Sequence, residues 1–243
     1  GASRGLGREI ALALADVGAE LVLVARNEAT LDSAATEVAR LGASVETFAC
    51  DVGDPLQWES ALVKILAEHG PVEILVNNVG GRRMDVPTEE ASLADWQQII
   101  DLNLTSAFLA TRHVGASMIE RGAGGRIINV ASISGMIANR DIGGRAYEAS
   151  KAALIHFTRA TAADWAPHGI TVNAICPGGF MTEPNQRWLK ENPVVIDAFR
   201  SQIPGGDFGD PADLGPLAVY LASDAARYLT GAAIVIDGGY TVW

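Results

Sequence analysis

Tyr147 and Lys151 stand four residues apart at the start of a strongly helical run, so both side chains project from one helix face and the ammonium can sit beside the phenol. A free phenol titrates near ~10 and is a poor acid or base at neutral pH. A neighbouring cation stabilises the phenolate, so the spacing predicts a Tyr147 phenol whose pKa is lowered by Lys151. The chemistry open to such a pair is to give a proton to an oxygen atom or to take one from it. The same spacing also arises by chance as a surface pair worth little, so its weight depends on what surrounds it.

The N-terminal segment Gly1-Ala2-Ser3-Arg4-Gly5-Leu6-Gly7 runs directly into the helical pattern Arg8 to Val17. Glycines bracketing the first turn of a helix let backbone N–H groups and the positive helix end approach a pyrophosphate; a tight turn with no ligand would use the same residues. About 20 residues on, where an NAD site carries an acid against the ribose 2′-hydroxyl, the chain reads Ala25-Arg26-Asn27. Arg26, with Arg4 inside the glycine loop, offers guanidinium groups suited to a 2′-phosphate. The expected cofactor is therefore NADP(H), and the alternative for Arg26 is a solvated loop residue.

Further motifs follow in order: Asp51-Val52, Asn77-Asn78-Val79-Gly80 at a strand end, Asn103 inside a long helical run, Ser132 after Ile127-Ile128-Asn129-Val130-Ala131, Pro177-Gly178 with Thr182, and a closing Asp237-Gly238-Gly239. Taken with the glycine loop and the Tyr147/Lys151 pair, they resemble the short-chain dehydrogenase/reductase family over essentially the whole chain. The resemblance implies a Rossmann-type fold and the catalytic set Asn103, Ser132, Tyr147 and Lys151. Ser132 would hold the substrate oxygen, Tyr147 would exchange its proton, Lys151 would bind the nicotinamide ribose, and Asn103 would hold a water linked to Lys151. The resemblance also implies cofactor contacts from Gly1, Ser3, Arg4, Gly5, Leu6, Gly7 and Arg26. Further along, Asp51 and Val52 would meet the adenine, Asn78, Val79 and Gly80 the adenosine ribose side, and Pro177, Gly178, Phe180 and Thr182 the nicotinamide end. Asp51 could instead cap the helix that begins at Pro55, and Asn103 could mark a helix bend. Many relatives carry the serine thirteen positions before the tyrosine, which is Ser134; Ser132, fifteen before, is preferred for its strand context and for the Gly135 that follows.

These residues need elements to position them. Short apolar runs alternate with amphipathic stretches, the pattern of βαβ units and a doubly wound parallel sheet in one domain spanning 1–243. Strands are expected at Leu21 to Ala25, Val45 to Ala49, Ile74 to Val76, Arg126 to Ala131, Thr171 to Ile175 and Ala233 to Asp237. Helices are expected at Leu31 to Leu41, Pro55 to His69, Leu93 to Arg121, Ala146 to Ala166 and Pro211 to Ser223. A glycine turn of this kind ordinarily follows the central strand, and no residue precedes Gly1, so the reading expects a first strand that the sequence lacks. The segment about 180–205, with Met181, Pro184 and Trp188, is expected to form a lid over substrate.

The net charge of −11 argues against a nucleic-acid or anionic-membrane surface, and no apolar run reaches the ~18 residues of a membrane span. Nor does Gly1-Ala2-Ser3-Arg4 read as a signal peptide, so a cytoplasmic protein is expected. Cys50 and Cys176 read as buried thiols, and the four histidines show no metal-ligand spacing, so no metal is expected. Arg82, Arg83, Arg140, Arg145 and Arg187 near the expected mouth hint at an anionic small molecule. Within the family the chain most resembles oxidoreductases of sugar acids or polyols such as gluconate/5-ketogluconate, through the lengthened Ser132-to-Tyr147 segment and the closing Asp237 to Trp243, and 3-oxoacyl-[acyl-carrier-protein] reductases are the alternative resemblance. His168 stands where such reductases often place an arginine, which counts against that alternative. A catalytically silent NADP(H)-binding sensor would be expected to lack Tyr147 or Lys151. The resemblance also implies a homotetramer packed through the long helices Leu93 to Arg121 and Ala146 to Ala166; apolar residues on more than one face of both are compatible with it, and the alternative is one apolar face packed under the sheet.

Overall fold

The computed structural model describes residues 1–82, 86–139, 143–191 and 193–243, with the side chains at 184, 188, 189, 193 and 195 outside that description. The expectations placed on Arg83 and Arg140, and on the side chains of Pro184 and Trp188, lie outside the described residues.

The strands are β1 (Leu21–Ala25), β2 (Val45–Ala49), β3 (Ile74–Asn77), β4 (Gly125–Val130), β5 (Ile170–Pro177) and β6 (Ala233–Ile236), all in parallel pairings. Each was legible as a short apolar run, β1 and β2 with the expected ends and the other four with ends displaced by one or two residues. Among the described residues they pair as two ladders, β1-β2 and β3-β4-β5-β6. Between β1 and β3 lies a cavity of about 520 Å³, walled by Val22 and Val24 on one side and Leu75 and Val76 on the other. At its upper end Ala2 N–H donates to the Val24 carbonyl at 3.1 Å and the Asn78 amide donates to the Gly1 carbonyl at 3.1 Å.

Helices cover both faces, as parallel strands require. On one face α1 (Gly5–Asp16) and α9 (Leu214–Ala222) bury Ile10, Leu14, Leu214 and Leu221 against Ile128, Val130 and Ile175. On the other, α3 (Pro55–His69) and α5 (Ser106–Arg121) bury Trp58, Leu62, Val114 and Met118 against Ile127 and Val172. Burying each such aliphatic side chain contributes about 1.5–3 kcal/mol over leaving it exposed. On the α5 side, α6 (Arg145–Trp165) packs Leu154 and Ile155 with Ala174 and Cys176 of β5, and α2 (Glu28–Arg40) closes the β1-β2 edge.

The run Leu93 to Arg121, expected as one helix, is divided. α4 (Leu93–Ile100) passes through a π-helical turn at Asp101–Thr105 into α5. The wider turn leaves the Ile99 carbonyl to the Asn103 side chain, whose Nδ2 donates to it at 2.9 Å. At the position where a bend was considered, Asn103 thus lies in a π-helical turn that its own side-chain bond accompanies. Helix starts follow their caps: Asn27 caps α2, Asp54 caps α3 by accepting from Leu56 and Gln57, and Ser92 with Asp95 forms a capping box on α4. The cap before Pro55 is therefore Asp54 rather than Asp51. Past β5 the chain continues through α7 (Glu183–Glu191) and α8 (Pro193–Arg200) before returning to α9. No helix among the described residues is long and apolar enough to cross a membrane.

Candidate active site

The C-terminal ends of β3, β4 and β5 open into a cleft of about 980 Å³, and the first turn of α6 forms one wall. α6 begins after Gly144, which sits at φ 71°, a left-handed conformation that favours glycine. That start places Tyr147 in the first turn and Lys151 one turn on. Lys151 is 2% exposed, and its Nζ donates to the Val130 carbonyl at 2.8 Å and lies 5.9 Å from the Tyr147 ring centroid.

Two glycines permit this packing. A Cβ on Gly80 would fall 2.7 Å from both Asn103 Oδ1 and Lys151 Nζ, so the end of β3 closes over both groups only as glycine. A Cβ on Gly135 would fall 2.6 Å from the Lys151 carbonyl carbon, so the turn after β4 lies flat on α6 at that residue. The same turn settles which serine faces Tyr147. The Ser132 hydroxyl is hydrogen-bonded with Tyr147 and accepts from Ser134 N–H at 3.0 Å, whereas the Ser134 hydroxyl accepts from Asn139 Nδ2 at 2.9 Å. Asn103, fully buried, clamps Gly81 at both polar groups: its Oδ1 accepts from Gly81 N–H at 2.9 Å and its Nδ2 donates to the Gly81 carbonyl at 3.1 Å.

The electrostatics correct the sequence expectation for Tyr147. Burial raises the phenol above its ordinary range, outweighing the hydrogen bond from Ser132 and the positive charge of Arg82, which both pull it down. The cation placed against the phenol is thus Arg82, with its guanidinium carbon 4.9 Å from the ring centroid. Burial lowers Lys151 to about 8, against a small opposing influence of Cys176.

The arginines at the mouth are largely answered from within the chain. Arg82 lies 3.6 Å from Glu148, Arg145 lies 2.8 Å from the same carboxylate, and Arg187 lies 3.7 Å from Glu183. Burial favours a neutral Glu148, but hydrogen bonds from Asn139 and Arg145 more than offset it and hold the carboxyl below its usual range. This pairing weakens the case for an anionic ligand built on counting arginines.

Toward the other end, the cleft brings together every cofactor residue named from the sequence except Gly7, which lies one layer beneath. The glycine loop is fitted to close approach: Gly5 has φ 56°, and a Cβ on Gly7 would fall 2.1 Å from the Gly1 carbonyl oxygen. A cradle that only glycine can form, at the start of a helix, suits a pyrophosphate, and the cleft has a volume fit for a dinucleotide. Arg4 is exposed beside it, and Arg26, 54% exposed on its side chain, lies 3.5 Å from Asp51. Thr30 and Ser33 on α2 also face the cleft. Neither was singled out from the sequence, because a lone hydroxyl on a helix has no motif; their offsets from Arg26 around the α2 cap were the available signal.

Beyond β5, a Cβ on Gly178 would meet Asp237 at 2.6 Å, and one on Gly179 would meet Phe199 and Phe208 at 2.6 and 2.7 Å. Ile196 and Phe199 of α8 reach the cleft, and Phe199 stacks on Phe208 at 5.4 Å between centroids. The base of this excursion is closed by a parallel bridge between Phe180 and Gly209, with Met181 N–H donating to Gly209 O at 2.9 Å and Gly209 N–H to Gly179 O at 3.0 Å.

Residues 1–241 match the family model described as enoyl-(acyl carrier protein) reductase. The chain is 41% identical to galactitol 2-dehydrogenase (L-tagatose-forming) of Cereibacter sphaeroides, with 100% of this chain and 93% of that protein covered. It is 36% identical to gluconate 5-dehydrogenase of Gluconobacter oxydans, with 100% and 93% covered. A Beutenbergia cavernae structure described as an NAD(P)-dependent gluconate 5-dehydrogenase, with NADP bound at low occupancy, superposes with a TM-score of 0.92 at 34% identity, covering 100% of this chain and 95% of that one.

Proposed function

The chain belongs to the short-chain dehydrogenase/reductase family and is an NAD(P)-dependent oxidoreductase, and from that premise we propose that it interconverts a secondary alcohol and a ketone on a polyol or sugar acid, using NADP(H). The observation that carries the reading is the constellation of Ser132, Tyr147 and Lys151, the serine and lysine buried and the tyrosine partly so, at one end of a dinucleotide-sized cleft. The polyol and sugar-acid relatives at 36–41% identity support the substrate class, and galactitol and gluconate are the compounds to try.

In this reading the backbone N–H groups of the glycine loop hold the pyrophosphate, Arg4 and Arg26 the 2′-phosphate, and Asp51 and Val52 the adenine. Asn78 and Gly80 meet the adenosine ribose, Lys151 the nicotinamide ribose, and Gly178 and Thr182 the carboxamide. NADP(H), when bound, supplies or accepts the hydride.

The chain's own residues handle the proton. Ser132 Oγ donates to the substrate oxygen and holds it in place while negative charge develops there. Tyr147 Oη gives that oxygen a proton in reduction and removes it in oxidation. Asn103 fixes the Gly81 backbone and retains an acceptor lone pair for a water leading to Lys151. α7 and α8 act as the lid over residues 180–205, with Ile196 and Phe199 excluding water.

We also propose a homotetramer built through α5 and α6, where Phe108 is 44% exposed; light scattering at a mass of four chains is the expected result, and one chain's mass would overturn it. The test of function follows the nicotinamide absorbance with NADP⁺ and galactitol or gluconate, and with NADPH and 5-ketogluconate, beside an acetoacetyl thioester. Turnover of a polyol or sugar acid is expected. Turnover of the thioester alone would replace this substrate class by acyl-carrier chemistry, the wording of the matching family model. Binding of NADPH with no turnover of any ketone or alcohol would point to a silent sensor.

A further inference from the structure

Arg82 has no part in the proton transfer described above, yet its surroundings are among the most connected of the site. Its Nη1 donates to the Gly143 carbonyl and to that of Gly144 at 3.3 Å, in the segment leading into α6. Nη2 lies 3.6 Å from Glu148, the residue after Tyr147. The guanidinium carbon stands 4.9 Å from the Tyr147 ring centroid, closer than Lys151 Nζ at 5.9 Å. Just ahead of it in the chain, Gly81 is held at both backbone polar groups by Asn103. Arg82 thus straps the loop after β3 to the start of the helix that carries the phenol.

We propose, building on the reading of Tyr147 as the acid–base group, that Arg82 is a positioning residue: held by Gly143, Gly144 and Glu148, it fixes the Tyr147 ring and supplies the positive charge that stabilises its phenolate. Lys151 is turned to the Val130 carbonyl and toward the proposed ribose site, so the two cations divide the work. Glu148 is the counterweight. It anchors Arg82 but places a negative charge one residue from the phenol, and Arg145, 2.8 Å from that carboxylate, tempers it. Among the described residues the charged or titratable groups around Tyr147 are Arg82 from the β3 loop, Arg145, Glu148 and Lys151 from α6, and Cys176 from β5 behind Lys151.

A division of this kind makes a prediction of opposite signs. Removing the cation in Arg82→Gln raises the midpoint of phenol ionisation by about one pH unit or more, and removing the anion in Glu148→Gln lowers it. Arg82→Lys, which keeps the charge, recovers most of the shift. The readout is the near-ultraviolet absorbance of tyrosinate in the cofactor-free protein, taken as the difference from a Tyr147→Phe chain carrying the same second substitution, with circular dichroism reporting the folded state. A second readout is the pH profile of alcohol oxidation, which should move in the same directions. An unmoved midpoint in Arg82→Gln, or a shift of the same sign in both variants, overturns the proposal, since loss of a merely structural strap has no reason to act with opposite signs. If Arg82→Gln does not fold, Glu148→Gln alone decides by the direction of its shift. The titration needs neither cofactor nor substrate. A missing shift therefore defeats this proposal and leaves the acid–base reading in place, whereas unchanged turnover in Tyr147→Phe defeats that reading.

Discussion

The two ends of the cleft are built on different principles. At the Tyr147 end the side chains are buried and held from several elements at once: Lys151 by β4, Asn103 by the loop after β3, Ser132 within its own turn against α6. At the Arg26 end the glycine loop is constrained too, but the side chains of Arg4 and Arg26, proposed to meet the 2′-phosphate, reach outward, with Arg26 3.5 Å from Asp51. In the proposed reading the proton chemistry is thus preorganised at a cost in stability, while the choice between cofactors rests on exposed groups that can change without disturbing the core.

The largest expected effect lies at the buried end. Tyr147→Phe should lower kcat by about 10²–10⁴-fold, the usual yield of a positioned acid–base group, with the melting temperature nearly unchanged. Lys151→Met should also abolish most turnover, but thermal unfolding should show the chain stabilised at pH 7. The ammonium is buried there, and its described hydrogen bond is to a carbonyl rather than a carboxylate. The sign follows from linkage: with a folded value of about 8 against an ordinary 10.5, the unfolded chain binds more protons between those limits. Stability of the unsubstituted protein should therefore rise as pH climbs from about 8 toward 10.5, and the variant should lack that rise.

A smaller effect is expected at the exposed end, where Arg26→Ala should raise KM for NADPH about tenfold and leave kcat and folding alone. A large loss of stability in that variant would erase the contrast. Least of all should happen in Ser134→Ala, with kcat within about twofold of the unsubstituted protein, because its hydroxyl serves Asn139 while Ser132 faces the phenol. A loss comparable to that of Ser132→Ala would reverse the assignment of the two serines.

Much of this was legible because it is local. Strand ends, the glycine loop and the Tyr147/Lys151 pair each depend on residues a few positions apart, and their physics is the physics of one turn of helix or one strand. What escaped depends on distant contacts. The upward shift of Tyr147 comes from burial by several elements, which no spacing reports. The Arg82–Glu148 pair joins the loop after β3 to α6, so arginines that looked available to a ligand are engaged by the chain itself. The break at Asp101–Thr105 was hidden for another reason: apolar residues keep a helical rhythm through a π turn, and only the side-chain bond from Asn103 to Ile99 marks it.

The bridge between Phe180 and Gly209 has a consequence for how this architecture can diversify. The chain leaves the cofactor-side turn and returns to it at one point, and three backbone hydrogen-bonding residues, Gly179, Met181 and Gly209, already close the circuit. Lengthening the excursion between them costs only about 0.6 kcal/mol per doubling, because closure entropy grows slowly with length. The stretch from 183 to 208 is in that sense an exchangeable cassette: its contents can be rewritten to suit a new substrate while the turn at Pro177-Gly178 stays at the proposed nicotinamide site.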